Sequence, residues 1–187
     1  MTASETTART SFPEARGREK GYDKQPVDEF LARARTSFEQ GTDDLSSADI
    51  RQAAFPLVRH GYAIASVDAA LGRIEDAFAA RERSTAVAEA GVQAWVGHTR
   101  ELAQEVLDRL SRPPQHRFDR VSALRYGYRV SEVDLVTDKL ARYLETGESV
   151  TVEQVRSVAF RMQRGGYRET QVDAVLDAVV EVMLAVK

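Results

Sequence analysis

The stretch Gly61-Tyr62-Ala63-Ile64-Ala65-Ser66-Val67-Asp68 decides the fold, because its skeleton occurs four times within 187 residues. The skeleton is Gly-Tyr, four variable residues and then Val-Asp. A fixed spacing that recurs within one chain is the signature of a repeated supersecondary unit. The sequence therefore predicts four equivalent structural copies. The other three copies of the skeleton are Gly21, Tyr22, Val27 and Asp28; Gly127, Tyr128, Val133 and Asp134; and Gly166, Tyr167, Val172 and Asp173.

Each Val-Asp opens a run of apolar residues at helical spacing. Counted from the valine, the apolar positions fall at offsets of 0, 4, 7 and 11, with Thr137 as the one exception. This spacing lines one face of an α-helix and does not fit the two-residue period of a strand. A helix is therefore predicted after every Gly-Tyr.

The recurring residues are predicted to have structural roles. The glycine fits a chain reversal that needs a positive φ, and the tyrosine ring is expected to pack against the hairpin with its hydroxyl in water. Each aspartate is expected near a helix N-terminus, where a carboxylate is favoured by roughly 0.3–1 kcal/mol. A binding or acid–base role is the alternative for the aspartates.

Composition predicts a non-enzymatic protein of the cytosol. The formal net charge of -3 gives no general attraction to nucleic acid, and the absence of cysteine excludes disulfides and thiolate metal sites. No apolar run approaches the ~20 residues of a membrane span. The histidines, His60, His98 and His116, lack metal-ligand spacing. With no phosphate-binding loop or nucleophile elbow either, we expect no catalytic residues, no metal and no cofactor.

The four copies form two pairs, because the first and third are 106 residues apart and the second and fourth 105. We predict a disordered N-terminus at 1–11, a first motif pair at 12–83, a helical connector at 84–117 and a second motif pair at 118–187. The connector is either one long helix or two helices joined near Gly91, and it ends in the loop at Pro113 and Pro114. The predicted fold class is all-α, with repeated helix–loop–helix units in two pseudo-repeated halves joined by a long helical connector.

Several helix limits can be predicted from local signals. The first long helix is expected from about Lys24 to Gln40, ending at Gly41, since glycine commonly terminates helices. The segments from Ser46 to Asp49 and from Thr151 to Gln154 have the spacing of capping boxes. Each therefore predicts the start of a short helix.

These copies resemble the DivIVA domain of Gram-positive cell-division and polar-growth proteins. That family's pattern is a short helix ending near Phe, a loop ending in Gly-Tyr, and an amphipathic helix opening with Val-Asp and a following Leu. Several copies in one short chain are most similar to the actinobacterial DivIVA-domain repeat proteins. The best-matching residues are Asp49-Ile50-Arg51, Phe55, Gly61-Tyr62, Val67-Asp68 and Leu71, and then Gln154-Val155-Arg156, Phe160, Gly166-Tyr167, Val172-Asp173 and Leu176.

The resemblance implies a scaffold that binds protein partners, pairs with other copies of itself and contacts the inner face of the membrane. It implies a cytoplasmic protein of cell division or polar envelope growth, located at the septum or pole. Membrane-binding members carry an exposed aromatic residue and an arginine before Gly-Tyr. The corresponding candidates for membrane or partner contact are Arg59, Arg125, Tyr126 and Arg164, of which only Tyr126 is aromatic.

Two alternatives to this function stay open. One is a cytosolic adaptor that has no membrane contact. The other is a helical DNA-binding protein, which is disfavoured because the loops between paired helices run to about eight residues, against three or four in a helix-turn-helix. The balanced charge also disfavours it.

Overall fold

A helix follows each of the four Gly-Tyr dipeptides, as predicted. The computed structural model describes residues Phe12–Val186, so the predicted disorder of residues 1–11 falls outside the described residues. In chain order the elements are β1 (Lys20–Tyr22), α1 (Lys24–Gln40), α2 (Ser47–Arg51), β2 (Leu57–Arg59), α3 (Ile64–Ala90), α4 (Val92–Leu110), β3 (Tyr126–Tyr128), α5 (Val130–Thr146), α6 (Val152–Arg156), β4 (Met162–Arg164) and α7 (Glu169–Ala185).

The chain is mostly helical, as the predicted all-α class requires, but it also contains two short two-stranded sheets that the sequence did not predict. Strand β1 pairs antiparallel with β2, with Gly21 opposite Val58. Strand β3 pairs antiparallel with β4, with Gly127 opposite Gln163. Each strand has only three residues. The Gly-Tyr segments are not simple loops, because their backbone groups pair in these short sheets and so satisfy their hydrogen bonds.

The chain divides into two compact units between Glu82 and Arg83. The first unit contains β1, α1, α2, β2 and the start of α3. The second contains α4, β3, α5, α6, β4 and α7. The order strand, helix, short helix, strand, helix therefore occurs once in each unit.

The predicted connector is two helices, not one. Gly91 has a φ of 87° and separates α3 from α4, which settles the alternative of a break near this glycine. Helix α4 packs against α5 and α7 of the second unit. The segment predicted to join the halves is therefore in part a packed element of the second unit.

The predicted helix limits are confirmed. Helix α1 spans Lys24–Gln40, and Gly41 follows it in the left-handed conformation at φ 65°. Both capping boxes are present, with the Ser46 side chain accepting from Asp49 N and the Thr151 side chain accepting from Gln154 N. These limits depend on local chemistry, so the sequence could predict them.

Each unit has a core built from its own recurring residues. In the first unit Val27, Tyr62 and Val67 are buried together. The burial of such a side chain stabilises a fold by about 1.5–3 kcal/mol. The corresponding cluster of the second unit is Phe118, Val130, Val133, Tyr167 and Val172.

A buried ion pair joins α2 to α3 in the first unit. Arg51 Nε lies 2.7 Å from Glu75 Oε1, and Glu75 is 2% exposed. The corresponding position in the second unit, 105 residues later, is Val180. The two units therefore share an order of elements but differ in their buried polar groups.

Candidate interaction site

In each unit the two Gly-Tyr dipeptides lie side by side and pair with each other. Tyr22 N donates to Tyr62 O at 3.0 Å, and Tyr62 N donates to Tyr22 O at 2.8 Å. Tyr128 and Tyr167 exchange the same two hydrogen bonds, both at 2.9 Å. We call each of these paired arrangements a crossing, because each copy extends across the other.

The glycines of the crossings are required for close backbone approach. A Cβ built on Gly21 would lie 2.2 Å from Tyr62 O, and one built on Gly61 would lie 2.4 Å from Tyr22 O. The predicted positive φ at these glycines is wrong. Positive φ occurs instead one residue earlier, at His60 (60°) and at Gly165 (63°).

Each tyrosine hydroxyl is hydrogen-bonded to the aspartate of the other copy in its unit. Tyr62 Oη donates to Asp28 Oδ1 at 3.1 Å, and Tyr167 Oη donates to Asp134 Oδ1 at 3.0 Å. The two remaining tyrosines make the equivalent bonds, from Tyr22 to Asp68 and from Tyr128 to Asp173.

Two expectations for these residues are therefore corrected. Tyr62 and Tyr167 are buried, at 7% and 0% exposure, so their hydroxyls are bonded inside the fold and not in water. Each aspartate is the fifth residue of its helix, beyond the first turn where the helix dipole acts. Its role is to accept a hydrogen bond that joins two copies.

The crossings also shift the protonation equilibria of their own groups. Burial, followed by the carboxylate of Asp173, raises the pKa of Tyr128 to about 12. Burial and the hydrogen bond to Asp134 raise the pKa of Tyr167 to about 12. Partial burial raises the pKa of Asp173, and the hydrogen bond from Tyr128 offsets part of this rise. At neutral pH the tyrosines are thus fully protonated donors, which suits a structural bond.

Aromatic packing follows the same reciprocal pattern. The Phe12 ring lies 5.2 Å from the ring of Tyr62, and the Phe55 ring lies 5.4 Å from that of Tyr22. Each phenylalanine therefore packs on the tyrosine of the other copy, with edge-on geometry typical of aromatic pairs. In the second unit the same pairs are Phe118 with Tyr167 at 5.3 Å and Phe160 with Tyr128 at 5.1 Å.

The candidate contact residues lie at the end of each unit that carries its short sheet, which we call the sheet end. Tyr126 faces Arg164 across β3 and β4, and the Arg164 guanidinium lies 5.6 Å from the centre of the Tyr126 ring. Arg125 precedes Tyr126, and its carbonyl accepts from Gly165 N at 2.9 Å. Arg59 lies in the first unit, where it faces Lys20 and not an aromatic residue. Three of the four candidates are thus brought together.

Apolar side chains are exposed around these three residues. Leu124 is 85% exposed, Tyr126 55% and Met162 46%. We call the set Leu124, Arg125, Tyr126, Met162 and Arg164 the basic tip. Apolar groups of this size beside arginines are typical of surfaces that bind a partner or a membrane interface.

The sheet ends of the two units differ in charge. In the second unit, residues 118–129 and 160–168 contain six arginines, all exposed, and one aspartate, a formal charge of +5. The corresponding residues of the first unit, 12–23 and 55–63, contain four cationic and three anionic side chains, a formal charge of +1. Two of the six arginines, Arg129 and Arg161, pair with Glu132, which lies outside these ranges. The chain's overall charge of -3 is therefore unevenly distributed, and the sheet end of the second unit is more basic than that of the first.

No protein-family model, curated protein or solved structure matches this chain. Within Phe12–Val186, every helix is too short or too polar to cross a bilayer. The same residues contain no group of three or more histidine, cysteine or acidic side chains placed to hold a metal ion. The evidence for function is therefore the arrangement of the residues themselves.

The second unit contains a buried polar network that was not predicted from the sequence. The Arg117 guanidinium donates to Asp134 O at 2.7 Å and to Thr137 Oγ1, and it pairs with the Asp138 carboxylate. Thr137 itself is 1% exposed. The signal was present in the sequence, because Thr137 is the one polar residue in the apolar stripes.

Proposed function

We propose that the chain is a non-enzymatic DivIVA-domain interaction protein that acts in cell division or polar envelope growth. In this proposal each unit is a DivIVA-like module made of two interlocked copies of one motif. The modules bind protein partners, and the second module also contacts the inner face of the membrane. The four copies in one register and their reciprocal contacts support the proposed relation to the DivIVA domain.

The observation that carries the membrane contact is the basic tip. The recurring Gly, Tyr and Asp residues are occupied inside the crossings, so they are not free to bind a partner. The exposed side chains of the tip are not occupied in this way. Leu124, Tyr126 and Met162 supply apolar area, and Arg125 and Arg164 lie beside them.

The physical mechanism is interfacial adsorption. Each cationic side chain near an anionic leaflet contributes about 1 kcal/mol. Apolar side chains that enter the headgroup region contribute about 25 cal/mol for each Å² of apolar area removed from water. Neither contribution requires a helix that crosses the bilayer. The first unit, which lacks the aromatic residue and most of the charge, is left for contact with protein partners.

Liposome co-sedimentation tests the membrane contact. We expect the wild type to sediment with vesicles that contain anionic lipid and not with neutral vesicles. Arg125→Glu and Tyr126→Ala should each weaken this binding, the charge reversal by about thirtyfold if it changes the adsorption energy by about 2 kcal/mol. Arg59→Glu, the matched change in the first unit, should have a much smaller effect.

Other outcomes of the test favour the alternatives. A wild type that stays in solution with anionic vesicles would indicate an adaptor with no membrane contact. Sub-micromolar retardation of duplex DNA in gel-shift experiments at low salt would indicate a nucleic-acid-binding protein. In cells, a fluorescently tagged chain should concentrate at septa or poles, and a uniform cytosolic signal would contradict the proposed role.

A further inference from the structure

We propose that the second unit binds an acidic peptide segment carrying an aliphatic side chain, in a groove beside the start of α5. The groove has a volume of about 570 Å³, within the range of about 300–1,000 Å³ that is typical of ligand sites. The residues that line it include Gln115, Arg120, Arg129, Leu135 and Gln163. None of these residues belongs to the basic tip, so the proposal does not depend on membrane contact.

The acidic groups of the groove are already engaged by the protein. Asp134 accepts hydrogen bonds from Tyr167 Oη at 3.0 Å and from Gln115 N at 2.8 Å. Asp138 pairs with the buried guanidinium of Arg117. Much of the negative charge in the wall is therefore compensated from within. The arginines at the rim, Arg120 and Arg129, are both exposed. Arg129 lies 3.8 Å from the Glu132 carboxylate, so Arg120 is the main positive charge that a ligand meets.

The groove also has an apolar contact point. Leu135 is 71% exposed and lies on the α5 wall, one turn from Ser131. A single exposed leucine is ordinary on a protein surface. Here it lines a concave site that Val130 and Pro114 also line, where an aliphatic side chain of a ligand can remove it from water.

The first unit has the opposite chemistry at the matching positions. Arg120 corresponds to Glu14, Arg129 to Asp23 and Leu135 to Glu29. Lys24, which takes the place of Val130, forms an ion pair with Glu14 across this face. The matching positions thus carry a surface ion pair in the first unit, whereas those of the second unit are basic and partly apolar.

Charge complementarity and shape together select the ligand class. The exposed Arg120 and the excess of arginines at this sheet end favour an acidic partner over a basic one. The site is concave, which suits a peptide better than a flat bilayer. The amides of Gln115 and Gln163 can each donate to and accept from a peptide backbone.

Fluorescence anisotropy with a labelled glutamate-rich peptide that has one central leucine tests the proposal. We expect the wild-type chain to bind it, and Leu135→Glu and Arg120→Glu to raise the Kd at least tenfold each. These two changes install the residues of the first unit at exposed positions, so the fold should be retained, as circular dichroism can verify. A peptide with serine in place of leucine should bind several-fold more weakly.

Arg164→Glu in the basic tip is the matched control for loss of charge outside the groove, and it should raise the Kd only about twofold. Equal binding by the wild type and Leu135→Glu would overturn the proposal. So would equal binding of a lysine-rich peptide. If Leu135→Glu reduced vesicle binding as much as Arg125→Glu does, the groove would be part of a membrane surface and the peptide site would be refuted. If the wild type fails to bind vesicles, the proposed membrane contact is wrong. The Kd for the peptide should nevertheless be the same, because the groove lies outside the basic tip.

Discussion

Replacing Gly166 by alanine should break the second crossing without altering any exposed surface. The new Cβ would lie 2.4 Å from Tyr128 O and 2.6 Å from Gly127 O. Both are backbone atoms, so no side-chain rotation relieves the contact and the two chain segments must separate. Separation lengthens the two hydrogen bonds of 2.9 Å between Tyr128 and Tyr167.

The expected loss is large compared with the stability of a small unit. Two backbone hydrogen bonds contribute about 1 kcal/mol each, and overpacking of a closely packed site costs typically 1–3 kcal/mol. Together these effects predict a decrease of about 3–5 kcal/mol in the free energy of unfolding. Gly97→Ala is the matched control, because Gly97 lies in α4 with no atom within 4 Å of its added Cβ. It should raise stability by up to about 1 kcal/mol through helix propensity.

Urea unfolding followed by the fluorescence of Trp95 measures both variants. This is the only tryptophan of the chain, and it lies in α4 of the second unit. With a urea dependence of about 2 kcal/mol per M, Gly166→Ala should lower the midpoint by about 2 M. An unchanged midpoint, or a rise like that expected for Gly97→Ala, would refute the assignment of this glycine to close backbone approach.

Two further predictions concern titration and buried charge. The pKa of both Tyr128 and Tyr167 is raised to about 12 in the fold, above the ordinary value of about 10. Their contribution to stability is therefore fully present below pH 10 and lost as the pH rises through 12. The urea midpoint of the wild type should fall as the pH rises from 10 to 12, and it should fall less steeply in the double variant Tyr128→Phe/Tyr167→Phe. A wild-type midpoint that stays constant over this range would contradict the hydrogen-bonded state of these hydroxyls. Glu75→Gln should lower the free energy of unfolding by about 3–5 kcal/mol, because it removes the carboxylate that Arg51 contacts inside the fold. A double Arg51→Met/Glu75→Leu variant should recover most of this in circular-dichroism melts, and a double variant less stable than the single one would contradict the reasoning.

The helices could be predicted because their signals are local. An apolar stripe of four positions specifies a helix through the spacing of its own residues. Gly41 ends α1 and Ser46 caps α2 through contacts made within a few residues. Such contacts do not depend on how the helices pack against one another, so the same residues predict the same helix ends in any tertiary structure.

The crossings could not be predicted because their contacts are long-range. Tyr62 bonds to Asp28 across 34 residues, and a skeleton that recurs in sequence looks the same whether its copies stand apart or interlock. The glycines show the same ambiguity. Glycine tolerates a positive φ and also permits close backbone approach, and only the position of Tyr62 O beside Gly21 decides between the two. The strands were missed for the same reason, since three-residue segments acquire their pairing from partners elsewhere in the chain.

The candidate site was partly predictable. Arg125, Tyr126 and Arg164 were selected by their place before Gly-Tyr, and the pairing of β3 with β4 brings them together. The groove beside α5 was not predicted. Its exposed Leu135 resembles any other apolar helix position in sequence, and the direction it faces depends on the register of α5 against the core.

The reciprocity of the crossings constrains where function can lie. Within a unit, the glycine, tyrosine and aspartate of one copy are each satisfied by the other copy, so a copy without its partner would leave a tyrosine hydroxyl without its carboxylate. Buried polar groups that lose their partners destabilise a fold, so the two copies of a unit stabilise each other. The residues that make these reciprocal contacts must be the same in both units. Two of the differences between the units are Lys20 against Tyr126 and Glu14 against Arg120. Both pairs lie at the sheet ends, and substitutions there should change binding while leaving the crossings intact.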